Sequence, residues 1–337
     1  MRSSTRNSIG YRPVLAALVC AAGLLAGCGG DDTADGRPLV VTTVAPITSI
    51  VANIVGDEAQ VVGIVPEGTN SHTFEPRPSD AKQLARADVI FMNGLRLEEP
   101  TRKLAEANKA RNTEIVELGN ETITPDQYLY DFSFPKEEGK PNPHLWTNPL
   151  LVKRFAQIVA ERMVRLDPDS ADTYRANLAA FSARIDLFDA AIRTAFATIP
   201  AGQRKLLTYH DAYAYFGKEY GFDIIGAIQV SDFEDPTPKQ VASLIEQVRT
   251  TGVRAIFGSE VFPSPVLEQI GKQTGAVYVD VLRDDDLPGA PGEAGHSWLG
   301  LMRFDFMTMT RALGGDPSVL ETVDVGDVAP DRARYPQ

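Results

Sequence analysis

Two prolines bracket a run with one apolar face: Pro168-Asp-Ser-Ala-Asp-Thr-Tyr-Arg-Ala-Asn-Leu-Ala-Ala-Phe-Ser-Ala-Arg-Ile-Asp-Leu-Phe-Asp-Ala-Ala-Ile-Arg-Thr-Ala-Phe-Ala-Thr-Ile-Pro200. Tyr174, Leu178, Phe181, Ile185, Phe188, Ile192 and Phe196 recur at steps of three and four, the spacing of one side of an α-helix. Proline suits the entry of a helix and cannot continue one, so a helix is predicted from Ser170 to Thr198. At 1.5 Å per residue it would run roughly 40 Å, about the length of two small lobes side by side. The chain then divides into an N-terminal lobe (residues 39–167), a connecting helix (168–200) and a C-terminal lobe (201–337).

On either side of that helix, short apolar runs alternate with helical patterns. Leu39–Val44, Gln60–Val65, Asp88–Met92 and Glu114–Leu118 read as buried strands, with helices over Ile47–Val55 and Pro78–Ala85. The second half repeats the style, with strands over Lys205–Tyr209, Asp223–Ile228, Ala255–Phe257 and Ala276–Leu282. Helical stretches there include Val241–Arg249 and Val266–Thr274. Such alternation argues for parallel sheets covered by helices. The expected fold class is α/β: two lobes, each a parallel sheet flanked by helices with its own core, joined by one long rigid helix.

The N-terminus reads as a targeting segment. Arg2, Arg6 and Arg12 precede an apolar run from Val14 to Ala26, too short to span a bilayer as a stable helix. Leu25-Ala-Gly-Cys28 resembles a bacterial lipobox, so residues 1–27 are expected to be a lipoprotein signal peptide and Cys28 to carry a lipid. Residues 28–38, with Gly29, Gly30, Asp31, Asp32 and Asp35, read as a flexible tether. The other cysteine, Cys20, falls inside the signal, so the mature chain would bind metal through nitrogen and oxygen only. The formal net charge of −12 becomes three units more negative when the three arginines leave, which argues against nucleic-acid binding.

Only four histidines occur, and three stand in loops suited to a metal. His72 lies in Pro66-Glu-Gly-Thr-Asn-Ser-His-Thr-Phe-Glu-Pro, after the second strand. His144 lies in Pro141-Asn-Pro-His-Leu-Trp-Thr-Asn-Pro149, whose prolines stiffen the loop. His210 directly follows the strand Lys205–Tyr209, and ligands of open α/β sheets bind beyond the carboxyl ends of strands. A metal shared by the three would sit in the cleft between the lobes. A fourth ligand would come from the acidic turn Arg283-Asp-Asp-Asp-Leu-Pro288.

In these motifs the chain resembles the zinc and manganese substrate-binding lipoproteins of bacterial ABC importers (TroA-like and ZnuA-like). The resemblance covers nearly all of the mature chain, in order. Besides the three histidine motifs it includes Ala87-Asp-Val-Ile-Phe-Met-Asn-Gly-Leu-Arg-Leu-Glu98 and Ile256-Phe-Gly-Ser-Glu-Val-Phe-Pro263. It implies His72, His144 and His210 as ligands. It also implies an aspartate in a leucine-x-x-Asp-x-Leu turn, which selects Asp285; counting from Tyr278 selects Asp284. His296, in Gly295-His-Ser-Trp, stands where the family usually has no ligand; a solvent-exposed loop residue is expected, with a metal contact as the alternative. Many zinc receptors of the family carry a histidine-rich loop before the second ligand. Here residues 120–142 hold Asp126, Asp131, Glu137 and Glu138 and no histidine.

Three imidazoles and one carboxylate suit Zn²⁺, with Mn²⁺ as the alternative cargo. The expected function is an extracytoplasmic, lipid-anchored monomer, not an enzyme. It would capture the ion and deliver it to an ABC permease served by a cytoplasmic ATPase. A metal-stabilised surface adhesin is a second class. A zinc hydrolase is a third, with Asp211 or Glu75 as base. It would need an open coordination position and a base, and no His-Glu-x-x-His occurs.

Overall fold

A computed structural model describes residues 36–228, 236–259, 264–283, 285–293 and 295–336. The signal segment, Cys20, Cys28, Asp284 and all but the last residues of the tether lie outside the described residues. From Arg37 onward the chain forms one compact unit that contains both sheets.

The first sheet holds β1 (Leu39–Thr42), β2 (Gln60–Gly63), β3 (Val89–Met92) and β4 (Glu114–Glu117), in the order β2-β1-β3-β4 with all neighbours parallel. Its crossovers carry α1 (Ala45–Val55), α2 (Asp80–Arg86) and α3 (Glu99–Asn108), and the short α4 (Leu118–Thr122) follows β4. The second sheet repeats the plan with β5 (Lys205–Thr208), β6 (Asp223–Ala227), β7 (Ala255–Ser259) and β8 (Val277–Leu282), ordered β6-β5-β7-β8 and again all parallel. Two helices, α5 (Pro149–Leu166) and α6 (Ala171–Ala197), lie between the sheets in sequence. After β5 come α7 (Ala214–Tyr220), α8 (Pro238–Thr251), α9 (Pro265–Thr274), α10 (Trp298–Ala312) and α11 (Ser318–Glu321). The strand order reverses between β1 and β3, and between β5 and β7. These switch points open crevices at the strands' carboxyl ends, where such sheets bind ligands.

The long helix follows its sequence pattern. Tyr174, Phe181, Ile185, Phe188, Ile192 and Phe196 are buried along α6, and Leu178 is partly buried against the same core. Each fully buried phenylalanine stabilises the fold by roughly 1.5–3 kcal/mol relative to an exposed one. The neighbouring Leu187, off that face, is 72 % exposed.

The expectation of a separate core for each lobe needs correction. One apolar cluster runs from Val40 and Phe91 of the first sheet, through α1, α5 and α6, to Leu206, Phe257 and Leu282 of the second. Smaller clusters back only the outer faces, around Val41 and Ile90 in one sheet and Leu207 and Ile256 in the other. The reason is that α6 and α10 present apolar residues to both halves: α6 packs on α1 and sets Phe196 against Phe216, and α10 packs on α1 and β8. Trp298 of α10 shows this: it is fully buried, its indole N–H donates to Trp146 O (2.9 Å) and its backbone N–H to Ser49 Oγ (2.9 Å). The C-terminal stretch also returns to the first sheet, where Arg334 bridges Val62 through bonds of 2.9 Å to Gly63 N and Val61 O.

Candidate metal centre

Three loops converge at the carboxyl ends of the strands. The loop after β2 carries His72, whose backbone N–H is fixed by Asn70 Oδ1 (2.9 Å). The turn before α5 carries His144, and the turn after β5 carries His210. Tyr209 N donates to Phe257 O (2.7 Å) and Thr208 Oγ1 to His210 O (2.6 Å), which hold the last turn at the switch point. His144 and His210 are buried and His72 is partly exposed.

The three Nε2 atoms form a nearly equilateral triangle: 3.1 Å between His72 and His144, 3.3 Å between His72 and His210, 2.9 Å between His144 and His210. Mutual hydrogen bonds cannot satisfy three nitrogens that face one point, since a linear N–H···N bond serves one pair at a time. A tetrahedral ion with metal–nitrogen bonds of about 2.0–2.1 Å separates its ligands by about 3.3–3.4 Å, close to this spacing.

The state of His144 follows from its neighbours. Asn142 Oδ1 accepts from His144 N (3.0 Å), and Asn142 Nδ2 donates to Asp211 O (2.8 Å), which fixes the amide's orientation. The same Oδ1 lies 2.8 Å from His144 Nδ1, so Nδ1 carries the proton and Nε2 presents its lone pair to the centre. Burial, then the facing histidines, pushes His72 and His144 well below the ordinary imidazole pKa. Both are therefore neutral at pH 7, as metal ligands must be.

A wider frame holds the loops. Thr147 Oγ1 lies 2.9 Å from His144 O and 3.0 Å from Ala212 O, joining the second and third histidine loops. Asn93, in the motif that follows β3, donates from Nδ2 to Pro143 O (2.9 Å). Its turn is locked by the buried Glu98, which accepts from Thr43 Oγ1 (2.6 Å), Asn93 N (2.8 Å) and Gly94 N (3.1 Å). That locking holds Leu95 and Arg96 at positive φ, 51° and 68°. Phe134 packs its ring 5.7 Å from those of both His72 and His144.

Beside the third histidine lie two facing acids, Asp211 buried and Asp131 partly buried. Burial and the facing Asp211 carboxylate push Asp131 up to about 9, and burial raises Asp211 as well. Asp131 thus holds a proton at neutral pH. Asp211 accepts from Ser133 N (3.0 Å) and Asp131 from Asn142 Nδ2 (3.0 Å). In sequence Asp131 is one of several loop acids; only its long-range contacts set it apart.

Among the described residues, the groups whose ligand atoms all lie within 4.8 Å of one another are His72, His144 and His210; Asp285 does not join them. Asp285 is buried in the turn after β8. That turn meets the His72 loop through Gly68 N to Asp286 Oδ2 (2.7 Å) and Leu287 N to Glu67 Oε1 (3.2 Å). His296 is not a solvent-exposed loop residue: its side chain is 1 % exposed, because α10 begins two residues later and draws it under Tyr335.

Two parallel sheets bridged by a long helix, with histidines gathered at their mouths, define a two-lobed binding protein. The family described as zinc-uptake complex component A, periplasmic (ZnuA), matches residues 40–312, and the chain belongs to that family of metal ABC transporter substrate-binding proteins. Its members are solute-binding receptors, not enzymes. The chain is 30 % identical over 297 residues to the manganese-binding lipoprotein MntA of Halalkalibacterium halodurans, covering 86 % of this chain and 94 % of that protein. It is 31 % identical over 279 residues to the iron-binding protein YfeA of Yersinia pestis, covering 82 % and 86 %. Among solved structures, the periplasmic zinc-binding protein TroA of Treponema pallidum superposes with a TM-score of 0.73 at 26 % identity, covering 82 % of this chain and 99 % of that one. No helix among the described residues is long and apolar enough to cross a membrane.

Proposed function

We propose that this receptor captures Zn²⁺ outside the cytoplasmic membrane, on His72, His144, His210 and Asp285, and hands it to an ABC permease driven by a cytoplasmic ATPase. The convergence of three Nε2 atoms within 2.9–3.3 Å carries the reading, with the His144 lone pair already turned inward. Three imidazoles and a carboxylate favour zinc in tetrahedral geometry, whereas manganese prefers more oxygen and a higher coordination number. Relatives named for manganese and iron, and a neighbour named for zinc, support a divalent metal without choosing among them. Asp285 completes the set in this reading by a movement of its turn, which already contacts the His72 loop through Asp286 and Leu287. The signal ends at residue 27, the lipid on Cys28 anchors the mature chain, and residues to 38 serve as the tether.

Competitive titration with Zn²⁺ and Mn²⁺, read by calorimetry and bound-metal content, tests the assignment. One tight zinc per chain, poorly displaced by manganese and lost in His144→Ala, is the expected result. Tighter manganese at the same stoichiometry would keep the receptor and change its cargo. Full-strength zinc binding by His144→Ala would overturn the shared site.

A further inference from the structure

Two loops from opposite halves of the chain clasp each other beside the histidine cluster. One runs from the end of β2 to His72, and the other is the turn that leaves β8. Gly68 N donates to Asp286 Oδ2 (2.7 Å), and Leu287 N donates to Glu67 Oε1 (3.2 Å). The exchange is reciprocal: two adjacent residues on each side supply one carboxylate and one backbone N–H. The paired residues stand 218 and 220 positions apart in sequence. Such bonds gain strength from the charge on the acceptor. The Glu67 side chain is only 13 % exposed, so little water competes for it.

Both sides are braced. Gly68 adopts a φ of 73°, a conformation that glycine takes without steric cost, and Glu67 N donates to Pro336 O (3.2 Å). Across the seam, Arg283 Nη1 donates to Leu287 O (3.2 Å), which closes the turn on itself. Arg283 N donates to the buried Asp305 Oδ1 (2.9 Å), which fixes the turn to α10. His72 follows Gly68 by four residues, and Asp285 immediately precedes Asp286. His72 is also the partly exposed member of the cluster, whereas His144 and His210 are buried. The His72 loop is therefore the outer wall of the centre.

We propose that Glu67 and Asp286 are positioning residues, whose reciprocal clasp couples the His72 loop to the turn of Asp285 and so retains a bound ion. The clasp makes the two loops move as one unit across the cleft. Breaking it frees the outer wall of the centre without removing a ligand. The acidic run after β8 then has a division of labour, with Asp285 for the ion and Asp286 for the clasp. This inference rests on the four-ligand reading above and names what holds its first and fourth members together.

The test uses the chain from Arg37 onward, which forms one compact unit. Release of Zn²⁺ into excess chelator and uptake of Zn²⁺ are timed separately by stopped flow. Glu67→Ala and Asp286→Ala should each speed release about tenfold or more, with uptake within about threefold of the parent. Glu67→Gln and Asp286→Asn keep an acceptor oxygen and should recover part of the retention. A second readout needs no metal: amide hydrogen exchange followed by nuclear magnetic resonance. In the metal-free chain the Gly68 amide should lose protection in Asp286→Ala, and the Leu287 amide in Glu67→Ala. Release within about twofold of the parent in both alanine variants, or uptake accelerated as much as release, would overturn the proposal. Where circular dichroism shows that an alanine variant fails to fold, its amide counterpart is read instead, and release no faster than the parent's would overturn the proposal. Failure of the four-ligand reading would appear separately, as full-strength zinc binding by His144→Ala or Asp285→Ala with the Gly68 and Leu287 amides still protected.

Discussion

Asn142→Ala touches no metal in the proposed centre, yet it should cost the centre most of its grip. The side chain is fully buried and makes four hydrogen bonds. It accepts from His144 N (3.0 Å) and Nδ1 (2.8 Å), and it donates to Asp131 Oδ2 (3.0 Å) and Asp211 O (2.8 Å). Without it, His144 loses both the bond that fixes its tautomer and the one that fixes its ring. Removing an outer partner of a ligating histidine typically weakens metal binding 10- to 100-fold, or about 1.4–2.7 kcal/mol. Folding should lose more, about 3–4 kcal/mol, since each bond contributes about 1 kcal/mol and no water replaces the amide in a sealed site. The two effects separate experimentally: zinc affinity by competition with a chromophoric chelator, metal-free stability by urea unfolding. A variant that unfolds more easily but binds zinc within about twofold of the parent would refute the claim that Asn142 aims His144.

Three further outcomes follow from the same contacts. Tyr213 Oη donates to the buried Asp305 Oδ2 (2.9 Å), and Asp305 Oδ1 accepts from Arg283 N (2.9 Å), so a strut joins the His210 loop to the turn of Asp285. Tyr213→Phe should weaken zinc binding about tenfold, and unchanged affinity by chelator competition would remove the strut from the site. Trp298→Ala should destabilise the whole chain by about 3–5 kcal/mol in urea, because it empties the junction of both halves; a change below about 1 kcal/mol would contradict the continuous core. Asp131, pushed up to about 9, keeps a proton in the fold that the unfolded chain releases above its ordinary carboxylate range. Its contribution to metal-free stability is therefore present at low pH and falls as pH rises from about 4 to 9, and Asp131→Asn should remove that part of the slope in thermal midpoints.

The parts of this molecule that sequence reveals are those with local rules. Steps of three and four between Tyr174 and Phe196 place α6 to within a residue at each end. The strands fall where their apolar runs do, although the reading overran β1 and β2 by two residues, since Val44 and Val65 stay buried after the ladder ends. Helix α10 was missed, although Ser297 caps it by accepting from Gly300 N. Its buried Leu301, Met302, Phe306 and Met309 lie at helical spacing, but Gly300 and the interleaved Arg303 and Asp305 blur its apolar face. The three clustered histidines announced themselves by their loops. Asp131 and Asp211 did not, because their roles arise from contacts 11 to 78 residues apart, whereas Asn142 lies only two residues from the His144 it orients. His296 was misread for the same reason: burial by Tyr335, far along the chain, leaves no local trace.

The uninterrupted interior has a practical corollary for measurement. With no apolar boundary between the halves, heat or urea should disassemble them together, in one cooperative event rather than two. An ion bound at the mouths of the sheets then protects the entire chain, by about 4 kcal/mol when present at a thousandfold excess over its dissociation constant. A single melting curve therefore serves as a gauge of occupancy, and ranking metals by how far they move it would order their affinities without a label on either partner.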